Sequence, residues 1–197
     1  MARPREFDPD AALARAMDAF WATGYEGTSL ADLVAATGLN KGSLYAAFGD
    51  KRRLYLAAIE RYERDGIDRT VAALRDAQDP RTAIAAVFDG VIAAVERRDR
   101  RGCLLCNASV DRAPYDPSVE RRVLSALARL QRALAGALRR ADPHAAAAGI
   151  EARASHLLAT YMGLRTMARA GVAAAELRAI AGYALAGHGP EPRVPAR

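Results

Sequence analysis

The chain has 197 residues, a net charge of +6 and two cysteines, with 51% hydrophobic and 26% charged residues. This length allows one or two domains with a hydrophobic core, so the fold needs no disulfide or metal ion to support it. Abundant alanine and few β-branched residues favour an all-α fold of about nine helices without a sheet. The charged N-terminus and the lack of a long apolar run exclude a membrane protein, so we expect a cytoplasmic chain with reduced thiols.

The net charge alone does not indicate a nucleic-acid partner, because residues 1–66 contain nine Lys or Arg and ten Asp or Glu. A short arm at residues 1–7 has Arg3 and Arg5, which would contact DNA or remain disordered in solvent. The first predicted helix is capped by Asp8, ends before Gly24 and supports the two helices that follow. Its predicted inward residues are Leu13, Met17, Phe20 and Trp21.

Residues 28–48, TSLADLVAATGLNKGSLYAAF, predict two short helices joined by a glycine turn. Thr28 or Ser29 caps the first helix, Gly38 closes it in the left-handed conformation, and Asn40 caps the second. In the second helix Leu44 and Phe48, four residues apart, face the core, whereas small, polar and cationic residues face outward. A helix with this outer face, placed after a glycine turn, can enter the DNA major groove. The alternative is that the three helices only pack together and bind no nucleic acid.

A long helix is predicted from Asp50 to about residue 77. Its first-turn amides and the Lys51 ammonium group would form a phosphate-binding corner. Both lysines of the chain, Lys41 and Lys51, therefore occupy the two cationic positions of this region.

The run TSLADLVAATGLNKGSLYAAFGDKRRLYLAAIE resembles the DNA-binding segment of the TetR family of bacterial repressors. The resemblance implies a helix-turn-helix domain at 1–50 and a ligand-binding and dimerisation domain at 51–197, joined by the shared long helix. It also implies a homodimer on a palindromic operator, with recognition helices about 34–36 Å apart, released by a small molecule or by thiol modification. The predicted DNA-binding residues are Thr28, Ser29, Lys41, Gly42, Ser43, Tyr45 and Lys51.

Further helices are predicted to begin at Pro80, near Cys103, at Pro117, near Glu151 and at Ala173. The last two contain many Ala and Gly residues, which allow helices to approach closely. The resemblance implies that these two helices form the dimer interface, and packing within one chain is the alternative. The tail from residue 187 is expected to be flexible.

Cys103 and Cys106 lie three residues apart on a predicted helix and would share a face at disulfide distance. The helix N-terminus and the preceding arginines would favour a reactive thiolate, but two small buried core residues would give the same pattern. Asn107 is either a packing hydrogen bond or a ligand anchor. The segment GCLLCNASVDRAPYDP resembles a TetR subgroup with a Gly-Cys-Leu motif, which includes sensors of electrophiles and oxidants.

His156 and Tyr161 are further candidates for an effector site, although such residues more often have packing or surface roles. The thiols with His144, His156 or His188 make an incomplete tetrahedral set, so we expect no metal or other cofactor. The sequence contains no Ser-His-Asp set and no phosphate-binding loop that would indicate an enzyme. The alternatives to a regulator are a thiol-disulfide redox protein that uses Cys103 and Cys106, and an all-α interaction module.

Overall fold

The computed structural model describes residues 7–187, so Arg3, Arg5 and the tail with His188 lie outside the described part. The described residues form nine helices and no β-strand, which confirms the predicted all-α class. A short 3₁₀ turn also lies at Ala113–Tyr115. The helices are α1 (Pro9–Gly27), α2 (Leu30–Thr37), α3 (Lys41–Phe48), α4 (Lys51–Tyr62 and Asp68–Asp76, joined by a π-helical turn at Glu63–Ile67), α5 (Pro80–Glu96), α6 (Leu104–Asp111), α7 (Pro117–Ala141), α8 (Ala147–Ala170) and α9 (Ala174–Ala186).

Packing divides the described chain into two compact units. The first unit contains the described residues up to 73 together with 101–130, and the second contains 74–100 together with the described residues from 131. The first unit therefore holds α1 to α3, most of α4, all of α6 and the first part of α7. The second unit holds α5, the remainder of α7, α8 and α9.

In the first unit, α1 packs mainly against α4 and also against α2. The buried stripe of α1 is formed by Ala12, Ala16 and Phe20, all of which are fully buried. Two alanines in this stripe leave room for α4 to lie close to α1, so the larger neighbouring side chains sit at the edge of the contact. The residues predicted to point inward that are only half-buried are Leu13, Met17 and Trp21.

The long helix α4 differs from the predicted regular helix at its π-helical turn, Glu63–Ile67. Glu63 in this turn is 7% exposed and accepts hydrogen bonds from Arg122 at 3.1 Å and Arg129 at 3.2 Å. A buried carboxylate requires such partners, and both arginines come from α7. The sequence of α4 alone contains no signal for this turn, because the partners lie about 60 residues away along the chain.

The second unit is built around α8, which packs against α9 and α5. Helix α8 begins at Ala147, four residues before the predicted start near Glu151. Its buried residues recur at the helical period, so they lie along one face. These buried residues are Ile150, Ala154, Leu157, Tyr161, Leu164 and Ala168.

Gly24 breaks the helical backbone of α1 at the predicted position, and a short helical stretch continues beyond it to Gly27. Its φ of 82° and ψ of 174° belong to a region that residues with a side chain avoid. A Cβ atom added at Gly24 would also lie 2.7 Å from a carboxylate oxygen of Asp111. The same carboxylate accepts a 2.6 Å hydrogen bond from the backbone N–H of Tyr25.

We expect Gly24→Ala to lower the free energy of unfolding by about 1–3 kcal/mol, because it adds backbone strain and displaces Asp111. Gly27→Ala is the matched control, since a Cβ at Gly27 would meet its nearest neighbour at an ordinary 3.5 Å. That control should be neutral or more stable by less than about 1 kcal/mol. Urea unfolding followed by circular dichroism measures both, and equal midpoints for the two variants would contradict the assigned role of Gly24.

Candidate DNA-binding site

The two helices α2 and α3 are held by side-chain caps at both N-termini. Ser29 accepts a hydrogen bond from the Asp32 N–H at 3.1 Å, and the Asp32 carboxylate accepts one from the Ser29 N–H at 2.8 Å. Gly38 adopts the left-handed conformation, with φ 72° and ψ 9°, and its N–H donates to the Val34 carbonyl. Asn40 then accepts a hydrogen bond from the Ser43 N–H at 2.8 Å. The predicted caps and turn are therefore confirmed, with Ser29 rather than Thr28 as the first cap.

Thr28 was predicted as a DNA-binding residue, but its side chain is fully buried. Its hydroxyl donates to the Gly24 carbonyl at 2.6 Å and lies 2.7 Å from the Thr23 hydroxyl. The Thr28 hydroxyl therefore makes its hydrogen bonds within the protein. The prediction of a side-chain contact with DNA is corrected for Thr28, which instead fixes the connection between α1 and α2.

Helix α3 is anchored by Leu44, which is fully buried, while Lys41 and Gly42 are exposed and Ser43 and Tyr45 are half-exposed. A Cβ added at Gly42 would lie 3.3 Å from the Asn40 side-chain oxygen. A side chain at this position would therefore crowd the cap as well as any ligand approaching the helix. The Lys41 ammonium nitrogen lies 6.0 Å from the centre of the Tyr45 ring, so a cation and a phenol share the outer face.

Lys51 is the first residue of α4, which is capped by Asp50 through a 2.7 Å hydrogen bond from the Arg53 N–H. The Lys51 ammonium nitrogen lies 4.4 Å from the centre of the Tyr25 ring, a cation–π contact that limits its motion. The Arg112 guanidinium lies 4.6 Å from the centre of the same ring. The Tyr25 ring therefore contacts two cationic side chains, Lys51 and Arg112.

An ion pair between the exposed Arg52 and the buried Asp116 fixes the start of α7 to the beginning of α4. Arg52 donates to the two carboxylate oxygens of Asp116 at 2.6 and 2.8 Å, and the Ser118 N–H donates to the same carboxylate at 2.9 Å. Asp116 is 3% exposed, and the hydrogen bond from Arg52 contributes most to lowering its pKa from 3.8 to about 2. Sequence reasoning missed this pair, because its two residues are separated by 64 positions and no local pattern links them.

The two cysteines belong to the first unit and are buried, with exposures of 3% for Cys103 and 9% for Cys106. Cys103 has extended backbone angles, φ −121° and ψ 127°, and lies at the N-cap position of α6 instead of in its first turn as predicted. It accepts a 3.4 Å hydrogen bond from the Tyr62 hydroxyl. Neither cysteine is part of a disulfide. The Asn107 side chain donates to the Arg101 carbonyl at 3.1 Å, as expected for a packing hydrogen bond.

The other two effector candidates, His156 and Tyr161, lie on α8 in the second unit. His156 is exposed, whereas Tyr161 is 6% exposed, lies 6.4 Å from the Phe88 ring and accepts a 3.1 Å hydrogen bond from Arg165. Among the residues that the structure describes, no group of three or more His, Cys, Asp or Glu is arranged to hold a metal ion. None of the helices within 7–187 is long and apolar enough to cross a membrane.

A glycine turn between two capped helices, with an anchored second helix that exposes small, polar and cationic residues, defines a helix-turn-helix DNA-binding protein. Residues 12–58 match the family model of the bacterial regulatory proteins of the tetR family. The chain is 35% identical over 196 residues to the HTH-type transcriptional repressor ComR of Escherichia coli (strain K12), covering 93% of this chain and 90% of ComR. It therefore belongs to the TetR family, which consists of regulatory proteins and not of enzymes such as the redox protein considered above.

Two further proteins support this assignment. The HTH-type transcriptional regulator YezE of Bacillus subtilis (strain 168) is 34% identical over 122 residues, covering 61% of this chain and 63% of YezE. A solved structure shows a cysteine-substituted TetR family regulator, CifR, in complex with 26-base-pair double-strand operator DNA. The sequence of that CifR chain is 32% identical to this chain. The structure superposes with a TM-score of 0.83 and covers 94% of this chain and 98% of CifR.

The ion pair of Asp116 predicts a specific dependence of stability on pH. Because the folded pKa is lower than the unfolded value, the carboxylate stabilises the fold above about pH 4, and this contribution disappears as the pH falls towards about 2. The contribution is on the order of 2 kcal/mol. Asp116→Asn should therefore unfold more easily than the wild type at about pH 6, with the difference decreasing between about pH 4 and pH 2.

Asp10→Asn provides the control, because Asp10 pairs with Arg61 but its side chain is 71% exposed. An exposed pair contributes little, so this variant should resemble the wild type across the pH range. A pH-independent difference for Asp116→Asn would exclude ionisation of Asp116 as the cause. Chemical unfolding at a series of pH values measures all three proteins.

Proposed function

We propose that this TetR-family chain is a transcriptional repressor that binds a palindromic operator as a homodimer in the cytoplasm. An effector molecule or modification of a thiol would release it from the DNA. The observation that supports the proposal most directly is the geometry of α3, whose Leu44 is buried while Lys41 and Gly42 are exposed. A helix held rigidly by its inner face can present its outer face to base edges with little loss of conformational entropy.

The outer residues of α3 have distinct proposed roles. Lys41 donates to a base edge or a phosphate, Gly42 allows the backbone to approach the groove, and Ser43 hydrogen-bonds within it. The Tyr45 hydroxyl donates to a phosphate oxygen. Lys51 and the first-turn amides of α4 bind a second phosphate, where the helix dipole also favours negative charge.

The helix α2 would contact the DNA backbone at its N-terminus through Ser29, which is exposed. Thr28 supports this position from inside the protein. The functional division that we propose places DNA binding in 1–50 and effector binding with dimerisation in 51–197. This division separates the proposed functions of the two parts of the chain. The two compact units instead separate the parts by which residues pack together.

The proposed homodimer uses α8 and α9. Several small residues on these helices are exposed in the single chain, including Gly163 on α8 and Gly182 on α9. Tyr183 beside them is 69% exposed, which is high for a large aromatic side chain. A second copy related by a two-fold axis would cover both helices and form a four-helix interface.

A duplex enriched from a random DNA library by the purified protein serves as the operator probe for the DNA contacts. Lys51→Ala should weaken binding by about tenfold, because it removes a charge-assisted phosphate contact. It should also reduce the slope of log affinity against log salt by about 1 per chain. Tyr45→Phe should weaken binding with little change in slope. Fluorescence anisotropy at several salt concentrations measures both quantities.

Arg64→Ala is the matched control, since Arg64 is exposed and lies 13 residues beyond Lys51 along α4, about 20 Å at the helical rise per residue. Its removal should leave affinity and slope nearly unchanged. If Lys51→Ala and Tyr45→Phe both bind like the wild type, the assigned contacts are wrong. A loss equal to that of Arg64→Ala would indicate only an effect of net charge.

Release by thiol modification is the second part of the proposal, and it must be consistent with buried sulfur atoms. Cys103 and Cys106 can react only when α6 or its surroundings open transiently, because both are almost inaccessible in the closed structure. Their position in the same unit as α1 to α4 supports a connection between thiol chemistry and DNA binding.

We expect a bulky thiol reagent to modify the native protein more slowly than the unfolded protein, because modification requires opening. With hydrogen peroxide, the wild type should lose operator binding, and Cys103→Ser should retain it. Cys106→Ser is tested in parallel and shows whether the second cysteine is also needed for release by peroxide. Equal loss of operator binding in the wild type and in a variant with both Cys103→Ser and Cys106→Ser would exclude thiol-based release and leave small-molecule binding as the mechanism.

A further inference from the structure

The second unit contains a cavity of about 350 Å³ that the sequence-predicted sites do not include. Its size falls within the range of about 300–1,000 Å³ typical of small-molecule sites. The cavity is bounded by the first part of α5, the end of α7, the first half of α8 and the end of α9. Its lining residues include Arg81, Ile84, Leu138, Asp142, Ile150 and Arg153.

The floor of the cavity is aliphatic. Ile84, Leu138 and Ile150 are between 4% and 7% exposed, Leu157 is 1% exposed, and Leu185 completes the wall. No aromatic ring lines the cavity, so its surface offers no stacking partner for a flat ring. Such a floor gains free energy by removing an aliphatic chain from water.

The rim of the cavity is positively charged. Arg81 donates to the Ala141 carbonyl at 3.4 Å, and Arg153 donates to the Leu185 carbonyl at 3.1 Å. These bonds to carbonyl oxygens at the ends of α7 and α9 hold the guanidinium groups beside the cavity without neutralising their charge. Among the described residues neither arginine forms an ion pair with a carboxylate, and the lining contains one acidic residue, Asp142.

Gly149 lies in the first turn of α8 and also lines the cavity. The N-cap residue Ala146 offers no side-chain hydrogen bond to the amides of this turn. The partial positive charge of this helix N-terminus therefore adds to that of the two arginines. The cavity thus combines an aliphatic floor with a cationic rim.

We propose that this cavity binds a small aliphatic carboxylate, with the carboxylate at Arg81 and Arg153 and the alkyl chain on the floor. Guanidinium groups favour carboxylates because two parallel N–H donors match the two oxygens. That the site binds a carboxylate is inferred from the cavity alone. Its role as the effector site of the regulator rests in addition on the proposed function.

The test titrates the full-length protein with hexanoate, octanoate and decanoate by isothermal calorimetry, with octanol and octylammonium as probes of the head group. Octanoate should bind at one site per chain, more tightly than octanol and octylammonium. Arg81→Gln and Arg153→Gln should each weaken octanoate about tenfold, because a charge-assisted hydrogen bond is lost. Ala145→Trp, which adds bulk to a lining residue without changing the charge, should abolish binding.

Arg132→Gln is the matched control, since Arg132 is exposed in the same unit and does not line the cavity. Equal affinity for octanoate and octanol, tighter binding of octylammonium, or equal loss in Arg132→Gln would each overturn the proposal. Absence of octanoate binding would overturn it as well, while operator binding measured separately would leave the proposed function intact. If octanoate binds but does not change operator affinity, the cavity is a carboxylate site that does not regulate DNA binding.

Discussion

The contact between Asp111 and the end of α1 is the constraint on which the DNA-binding side of the molecule depends. Its carboxylate accepts the Tyr25 N–H at 2.6 Å and leaves room only for glycine at position 24. The Tyr25 ring then packs 4.9 Å from the Tyr55 ring and holds the Lys51 ammonium group over its face. The half-buried carboxylate at the end of α6 thus helps to position the ring against which the cation at the start of α4 lies.

The distribution of ion pairs explains how a nearly neutral segment can bind a polyanion. In the first unit, the half-buried Arg122 and Arg129 and the more exposed Arg52 are paired with carboxylates from other parts of the chain. These pairs hold helices together, and their charges are not available to DNA. Lys41 and Lys51, by contrast, form cation–π contacts with tyrosine rings, which position an ammonium group without neutralising it. The helix-turn-helix therefore offers unneutralised positive charge at Lys41 and Lys51, although the segment that contains it is nearly neutral.

Two regions are candidates for effector control, and they differ in chemistry. The cysteine region lies in the first unit, where Cys103 shares a hydrogen bond with Tyr62 of α4. Covalent modification there would act directly on the packing that supports the DNA-binding helices. The cavity with Arg81 and Arg153 lies in the second unit and would act by reversible binding, so that the two regions could respond to different signals.

Local sequence was sufficient to predict the helix order, the caps at Asp8, Ser29 and Asn40, and the left-handed Gly38. These features depend on interactions between residues at most four positions apart, which composition and spacing reveal directly. It was also sufficient to predict the outward set on α3, because one buried residue, Leu44, fixes the rotation of a short helix.

The tertiary structure alone decided that Thr28 is buried, that Cys103 lies outside its helix, and that α4 contains a π-helical turn. It also decided the ion pair between Arg52 and Asp116, the hydrogen bond from Tyr25 to Asp111, and the cavity in the second unit. The residues of that ion pair and that hydrogen bond are separated by 64 and 86 positions. Whether such residues meet depends on the packing of whole helices, which no short stretch of sequence specifies.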